Sequence, residues 1–234
     1  MKTIAIMQPT YLPWSGYFGL MQKVDVFVLL DSVQFDKRSW QQRNKIKTAN
    51  GPIWLTVPVV SKGKSKQLIN EVQIDPGSNF VENHIRSIEL NYRKTDFYNL
   101  ISDNLFKTLR DNKTGFLVDL NVSLIKLFKS FLGIETEILL SSQLNGSGSK
   151  ADMLVSLCEE LNAKKYITPQ GSRNYIEVTD VFKKSGIFLE YFDYIHPTYN
   201  QKFGEFVDNM SIIDILFNCG KDSASKIKKS WENR

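Results

Sequence analysis

Lys2-Thr-Ile-Ala-Ile-Met7 runs straight into Gln8-Pro-Thr-Tyr-Leu-Pro-Trp-Ser-Gly-Tyr-Phe18, and a short helical stretch then leads to Val26-Phe-Val-Leu-Leu30, closed by Asp31. Two β-type apolar runs separated by a tight loop and a helix open an α/β unit, in which the loops at strand C-termini gather ligands. The first loop carries more chemistry than a turn needs. Gln8, Tyr11, Trp14 and Tyr17 offer amide, phenol and indole groups, while Pro9, Pro13 and Gly16 restrict the backbone beneath them. A packed aromatic turn would use the same residues; the mixture of polar groups favours a ligand pocket.

Working outward, Lys45 to Thr48, the turn Ala49-Asn-Gly-Pro52 and Ile53 to Val57 predict a hairpin, with Asn-Gly supplying the positive φ. A short strand is expected at Glu71 to Ile74. Three helical segments follow, from Asn79 to about Arg93, Phe97 to Arg110 and Phe116 to Phe131. In the third, Leu117, Leu120, Leu124, Leu127, Phe128 and Phe131 repeat at three- and four-residue spacing. Strands are expected again at Thr136 to Leu140, Lys165 to Thr168 and Ile187 to Phe192, and helices at Lys150 to Asn162 and Ser211 to Cys219. The last dozen residues read as a charged tail. The fold class is therefore α/β, a mainly parallel, Rossmann-like sheet flanked by helices, within one domain over 1–234 that contains a helical insertion or subdomain at about 79–132.

With 42% apolar and 12% aromatic residues, the chain has the composition of a folded globular protein. No run is long enough to span a bilayer and no signal peptide is evident, so a cytoplasmic protein without a membrane partner is expected. Cys158 and Cys219 read as reduced thiols. Together with His84 and His196 they lack metal-ligand spacing, so no metal is expected. The net charge of +5 is concentrated. Eight Lys or Arg residues and no Asp or Glu lie between Lys37 and Lys66. Such a local cationic field suits a small phosphorylated ligand. Nucleic acid is disfavoured despite the interleaved Trp40 and Trp54, because the rest of the chain carries no basic stripe.

Three strand-end clusters are candidates for the site. They are Gln8, Tyr11, Trp14 and Tyr17; Asp31, Gln34, Lys37, Trp40, Arg43, Asn44 and Lys45; and Ser172, Arg173 and Tyr175. Parallel strands would bring them to one edge, where backbone N–H groups at Gly16 and Gly171 could hold phosphate oxygens beside Arg43 and Arg173. Neither a Walker sequence nor Gly-x-Gly-x-x-Gly is present. Asp31, at the end of a buried strand, and His196, in Tyr194-Ile-His-Pro-Thr-Tyr199-Asn-Gln201, are the candidate catalytic acid–base groups, with Tyr199 and Gln201 beside the histidine. His84 lies in a polar helical stretch and reads as solvated.

Gln8 through Phe18, Asp31-Ser-Val-Gln34, Trp40-Gln-Gln-Arg-Asn-Lys45, Trp54-Leu-Thr-Val-Pro58, His196 through Gln201 and Ser211 through Gly220 together resemble the WbqC-like protein family. That resemblance implies a setting in bacterial O-antigen and related surface-polysaccharide (lipopolysaccharide) biosynthesis. It implies a transferase forming an amide, acyl or aminoacyl (glycyl among them), on a nucleotide-linked amino sugar. The donor stays open between acyl-CoA, a carrier-protein thioester and an acid activated by ATP with magnesium. The opening segment is also similar to that of nucleotidylyltransferases and pantothenate synthetases, whose His-x-Gly-His type signature is replaced here by Trp14-Ser-Gly-Tyr17. An adenylate-forming enzyme, or a non-catalytic binding module for nucleotide sugar or nucleic acid, are the alternatives.

Overall fold

The computed structural model describes residues 1–64 and 66–232. Its centre is a five-stranded, wholly parallel sheet built from β1 (Thr3–Met7), β2 (Val26–Leu29), β5 (Glu137–Leu140), β6 (Lys165–Pro169) and β7 (Phe188–Phe192), in the order β5-β2-β1-β6-β7. β1 and β2 are apolar along most of their length because helices cover both faces of the sheet, the burial expected of parallel strands. The chain first builds outward from β1 through β2 to β5, then crosses back to add β6 and β7 on the other side. The crossover point therefore lies between β1 and β6, and ligand crevices in such sheets open at the strand C-termini there.

Helix α1 (Ser15–Gln22) links β1 to β2. The hairpin of β3 (Arg43–Thr48) and β4 (Gly51–Thr56) forms a separate antiparallel pair, with Gly51 at φ +96° closing its turn. Helices α2 (Phe80–Tyr92), α3 (Tyr98–Arg110) and α4 (Leu117–Phe131) occupy the expected segments. Their inward residues Ile88, Leu105 and Phe128 join Tyr11, Phe18 and Phe27 in one continuous core. A smaller core on the opposite face of the sheet packs Ile4, Ile6 and Tyr166 against α5 (Ala151–Glu160) through Leu154, Leu157 and Cys158. Short helices α6 (Arg173–Ile176) and α7 (Val181–Ser185) precede β7. Helix α8 (Ile212–Cys219) starts at Ser211, whose hydroxyl accepts from the Ile213 N–H at 3.4 Å.

Two expectations are corrected. Glu71 to Ile74 forms no strand; residues 69–71 make a single 3-10 turn and only isolated bridges follow, Gln73 to Phe116 and Val59 to Ile74. The charged end is not a tail but α9 (Asp222–Lys229). Ala224, Ile227 and Trp231 line one face of that segment and pack into the core, while Asp222 in the first turn and Lys226, Lys228 and Lys229 in the last complement the helix dipole. Among the described residues no helix is long and apolar enough to cross a membrane.

Candidate functional site

The loop after β1 is tied down from three sides. Its backbone bends through Leu12 at φ +45°, a conformation that leucine tolerates only where its surroundings enforce it. Asn44 provides that enforcement, donating from Nδ2 to the Leu12 carbonyl at 2.6 Å and the Tyr11 carbonyl at 3.3 Å. The Tyr11 N–H donates to the Trp40 carbonyl at 3.0 Å. Asn121 of α4, fully buried, donates to the Pro9 and Gln41 carbonyls at 3.1 and 2.8 Å, and Gln41 donates to Gln8 Oε1 at 2.8 Å. Gln8 and Tyr11 are thus scaffold of the loop. The Tyr11 hydroxyl meets His84 Nδ1 at 2.8 Å.

His84 is therefore not solvated, as its polar helix implied, but buried. Burial lowers its pKa to about 4, against the opposing pull of a hydrogen bond to the Thr56 carbonyl. With one ring N–H on Thr56, the other nitrogen accepts from Tyr11, so the neutral ring is the form that fits. Above about pH 6.5 the ring is neutral folded or unfolded, and its titration adds no pH dependence to stability there. As pH falls from about 6.5 to about 4 the unfolded chain takes up a proton that the folded one refuses, and up to about 3 kcal/mol of stability is lost. Asp214, whose carboxyl is raised by burial, has the opposite sign. Urea unfolding of wild type against His84→Phe at pH 7 and pH 4.5 isolates the histidine: the gap between the two proteins is expected to narrow or reverse at the lower pH.

Above this scaffold, at the C-terminal end of β1, a cavity of about 260 Å³ is lined by Met7, Thr10, Trp14, Tyr17, Trp40, Asn44 and Asn209. Trp14 folds its ring over the first turn of α1; a Cβ on Gly16 would lie 2.2 Å from its Cη2, so only glycine allows that approach. The edge of Trp14 meets Tyr194 at 5.3 Å between ring centroids. Tyr17 is buried and donates to the Gln8 carbonyl at 3.2 Å. Trp40, 47% exposed, stands at the mouth and packs at 5.2 Å on Trp54 of β4. The Arg43 guanidinium lies 4.2 Å and Lys45 Nζ 4.9 Å from the Trp54 ring centre. The walls are aromatic and neutral, with cations outside the mouth. Larger surface hollows beside Gly133 to Thr136 sit at the strand N-termini, away from this edge.

A profile of the WbqC-like protein family matches residues 8–226, spanning the loop, the hairpin and the segment that carries Asn209. The chain belongs to the WbqC-like family. It is 36% identical over 229 residues to the uncharacterized protein Rv1507c of Mycobacterium tuberculosis, covering 97% of this chain and 98% of that one. No solved structure matches significantly.

In this WbqC-like protein, then, the structure brings Trp14, Tyr17, Trp40 and Asn44 together around one cavity, with Arg43 and Lys45 against Trp54, which packs on Trp40. It places the other candidates elsewhere. Asp31 is 1% exposed and both its carboxylate oxygens are engaged: Oδ1 accepts from the Ser141 hydroxyl at 3.0 Å and the Ser142 N–H at 2.8 Å, and Oδ2 from the Ser142 hydroxyl at 2.6 Å. That geometry is a clamp between the end of β2 and the turn after β5, with no oxygen facing the cavity. His196 follows β7, with Nδ1 3.0 Å from the Pro197 carbonyl and its ring among Tyr194, Tyr199 and Phe206. Burial lowers its pKa, only partly offset by that carbonyl and by Asp208 and Asp214. Asp31 and His196 share no partner and follow strands separated by β1 and β6, so the structure does not join them into one acid–base pair.

Gln34 pairs with Leu68 through a backbone bridge and Lys37 donates to the Ser61 hydroxyl at 2.8 Å. Ser172 is buried and turned inward, donating to the Pro169 carbonyl and lying 2.6 Å from the Thr168 hydroxyl. Arg173 is held by Glu177 at 3.0 Å and stacks on Tyr191 at 4.0 Å, and Tyr175 is exposed beside it. Tyr199 and Gln201 belong to a buried network that sequence reading missed. Asp214, 1% exposed, accepts from Tyr92 at 2.7 Å, Tyr199 at 2.8 Å and Gln201 at 2.9 Å. Gln201 in turn accepts from buried Lys47 at 3.0 Å, and Lys47 also donates to the Glu205 carbonyl. This network anchors the irregular segment 199–210 that delivers Asn209 to the cavity. Among the described residues no group of acidic, histidine or cysteine side chains could hold a metal ion.

Proposed function

We propose that this protein binds a nucleotide-linked amino sugar at the cavity and forms an amide on the sugar nitrogen. The observation that carries the reading is a neutral aromatic cavity at the crossover edge of a parallel sheet, one wall of which, Trp40, packs on a Trp54 flanked by two cations. Trp14, Tyr17 and Trp40 would stack on a planar or ring moiety, and Thr10 and Asn209 would hydrogen-bond its edge. The acyl donor would be a thioester or an activated acid. The amine attacks the acyl carbon, the N–C bond forms, the bond to the leaving group breaks, and the departing thiolate takes the proton. An amine of the α-amino type, with pKa about 8, is already partly neutral near pH 7.5, so positioning supplies much of the rate without a carboxylate or imidazole on the cavity wall.

The second reading is an ATP site with adenylate chemistry, supported by the position of the cavity after the first strand of a parallel sheet. Against it, Trp14 and Tyr17 replace the two histidines of the nucleotidylyltransferase-type signature, so it stands as the runner-up. Thermal-shift screening against UDP-, dTDP- and GDP-linked sugars, ATP with magnesium, and coenzyme A separates the two. A ligand at about 100 times its dissociation constant adds nearly 3 kcal/mol, roughly 5–10 °C in a chain this long. Stabilisation by a nucleotide sugar is expected. A shift with ATP and magnesium alone selects the second reading, and silence with every compound contradicts both.

A further inference from the structure

We propose that the ligand's phosphates lie on the outer face of the β3–β4 hairpin, at Arg43 and Lys45, and not on the N-terminus of α1. Its neutral ring then enters the cavity and its anionic end stays outside. This rests on the nucleotide-linked reading above and fixes the orientation of the ligand within it.

In sheets with this strand order, phosphate ordinarily sits on free N–H groups where the helix after the first strand begins. Here that position is sealed. Pro9 and Pro13 have no N–H to offer, and Ser15 and Gly16 are buried. The Tyr17 N–H is used by the Trp14 carbonyl at 3.1 Å. The Trp14 ring fills the space over Gly16, with three of its carbons within 2.5 Å of where a Cβ would stand. No cationic side chain lines the cavity, so a phosphate pushed into it would lose its hydration against Met7, Trp14 and Tyr17 with no compensating charge.

The hairpin offers what the helix lacks. Its register sets Lys45 opposite Trp54 and Arg43 opposite Thr56, and both cations flank the 41%-exposed Trp54 ring. With its central carbon 4.2 Å from the Trp54 ring centre, the guanidinium keeps its terminal N–H groups as the ones able to bond oxygen atoms. Neither cation is paired with a carboxylate among the described residues, and Arg43 Nε is buried without a hydrogen-bond partner. The rival strand-end cations are committed, Arg173 to Glu177 and Lys37 to Ser61. Trp40 joins the two halves, lining the cavity with one part of its surface and packing on Trp54 with another.

The four tryptophans make the test direct, since Trp14, Trp40 and Trp54 each report one part of this path and Trp231, bonded to Gln22, lines neither the cavity nor the hairpin. Indole N–H signals of the full chain would be followed by NMR during titration with inorganic pyrophosphate, with Trp→Phe variants providing assignments. Trp54 is expected to shift while Trp14 and Trp231 stay in place. Arg43→Ala and Lys45→Ala should each weaken pyrophosphate binding about tenfold or more, as loss of a charge-assisted contact does, with Arg43→Lys recovering part of it. Unchanged spectral dispersion shows that each variant is folded. A shift of Trp14 or of the Ser15 to Tyr17 amides ahead of Trp54, no response at Trp54, or unaltered affinity in Arg43→Ala overturns the proposal. So does tight binding of a single-stranded oligonucleotide through these residues with a salt slope of several phosphates. Pyrophosphate bound at Trp54 without stabilisation by any nucleotide sugar would keep the phosphate site and remove the functional reading.

Discussion

Asp214→Ala is expected to destabilise the protein by about 3–5 kcal/mol, the cost typical of breaking a buried charged network by deleting one partner. The carboxylate is the common acceptor of Tyr92, Tyr199 and Gln201, at 2.7, 2.8 and 2.9 Å. Its removal leaves the buried Tyr92 and Tyr199 hydroxyls without an acceptor, leaves Gln201 Nε2 to the Val207 carbonyl, and leaves Lys47, linked to it through Gln201, as an uncompensated buried cation. Against a typical total stability of about 5–15 kcal/mol, that loss is a large fraction of the whole. Lys47→Met should be milder, because Asp214 keeps its three donors. The double variant should lose less than the sum of the two, since each single change already breaks the same network. Urea denaturation of all four proteins measures this; a loss below 1 kcal/mol in Asp214→Ala would show that the network contributes little.

For Asp31, two substitutions are expected to part company. Asp31→Ala removes the acceptor for the Ser141 hydroxyl, the Ser142 N–H and the Ser142 hydroxyl, and should cost about 2–4 kcal/mol. Asp31→Asn keeps an oxygen for Ser141 and the Ser142 N–H, and its amide can donate to the Ser142 hydroxyl once that hydroxyl turns. It should cost about 1 kcal/mol or less and bind ligand as the wild type does. A carboxylate acting as a base would give the reverse pattern, with Asp31→Asn stable but inactive. Melting temperature and ligand affinity measured on both variants decide between clamp and base.

The contrast between these two aspartates shows what a sequence displays and what it conceals. Strands, helices and the loop after β1 are legible because hydrophobic period and turn residues act locally. Trp14, Tyr17, Trp40 and Asn44, which line the cavity, stand out as candidates because the segments after β1 and before β3 carry more polar and aromatic groups than connections need. The fate of a carboxylate is not local. Asp31 looked free at the end of its strand, and its partners arrive from 110 and 111 positions away. Asp214 sits in the first turn of α8, where an acidic residue needs no further reason, yet its side chain points to Tyr92 and Tyr199. His84, flanked by Glu82, Asn83 and Arg86, gave no sign that its own face of α2 is buried against Tyr11. The helical end of the chain was masked by its lysines, although Ala224, Ile227 and Trp231 fall at helical spacing and mark the buried face.

The central claim is that the crevice at the end of β1 is the ligand site. It is tested most directly by a crystal structure of the protein with the nucleotide sugar that raises its melting temperature furthest. Expected is density for a ring among Trp14, Tyr17 and Trp40, within hydrogen-bond reach of Thr10 or Asn209, with the phosphates beside Arg43 and Lys45. Ligand density at any other edge of the sheet, with this cavity unchanged, would contradict it.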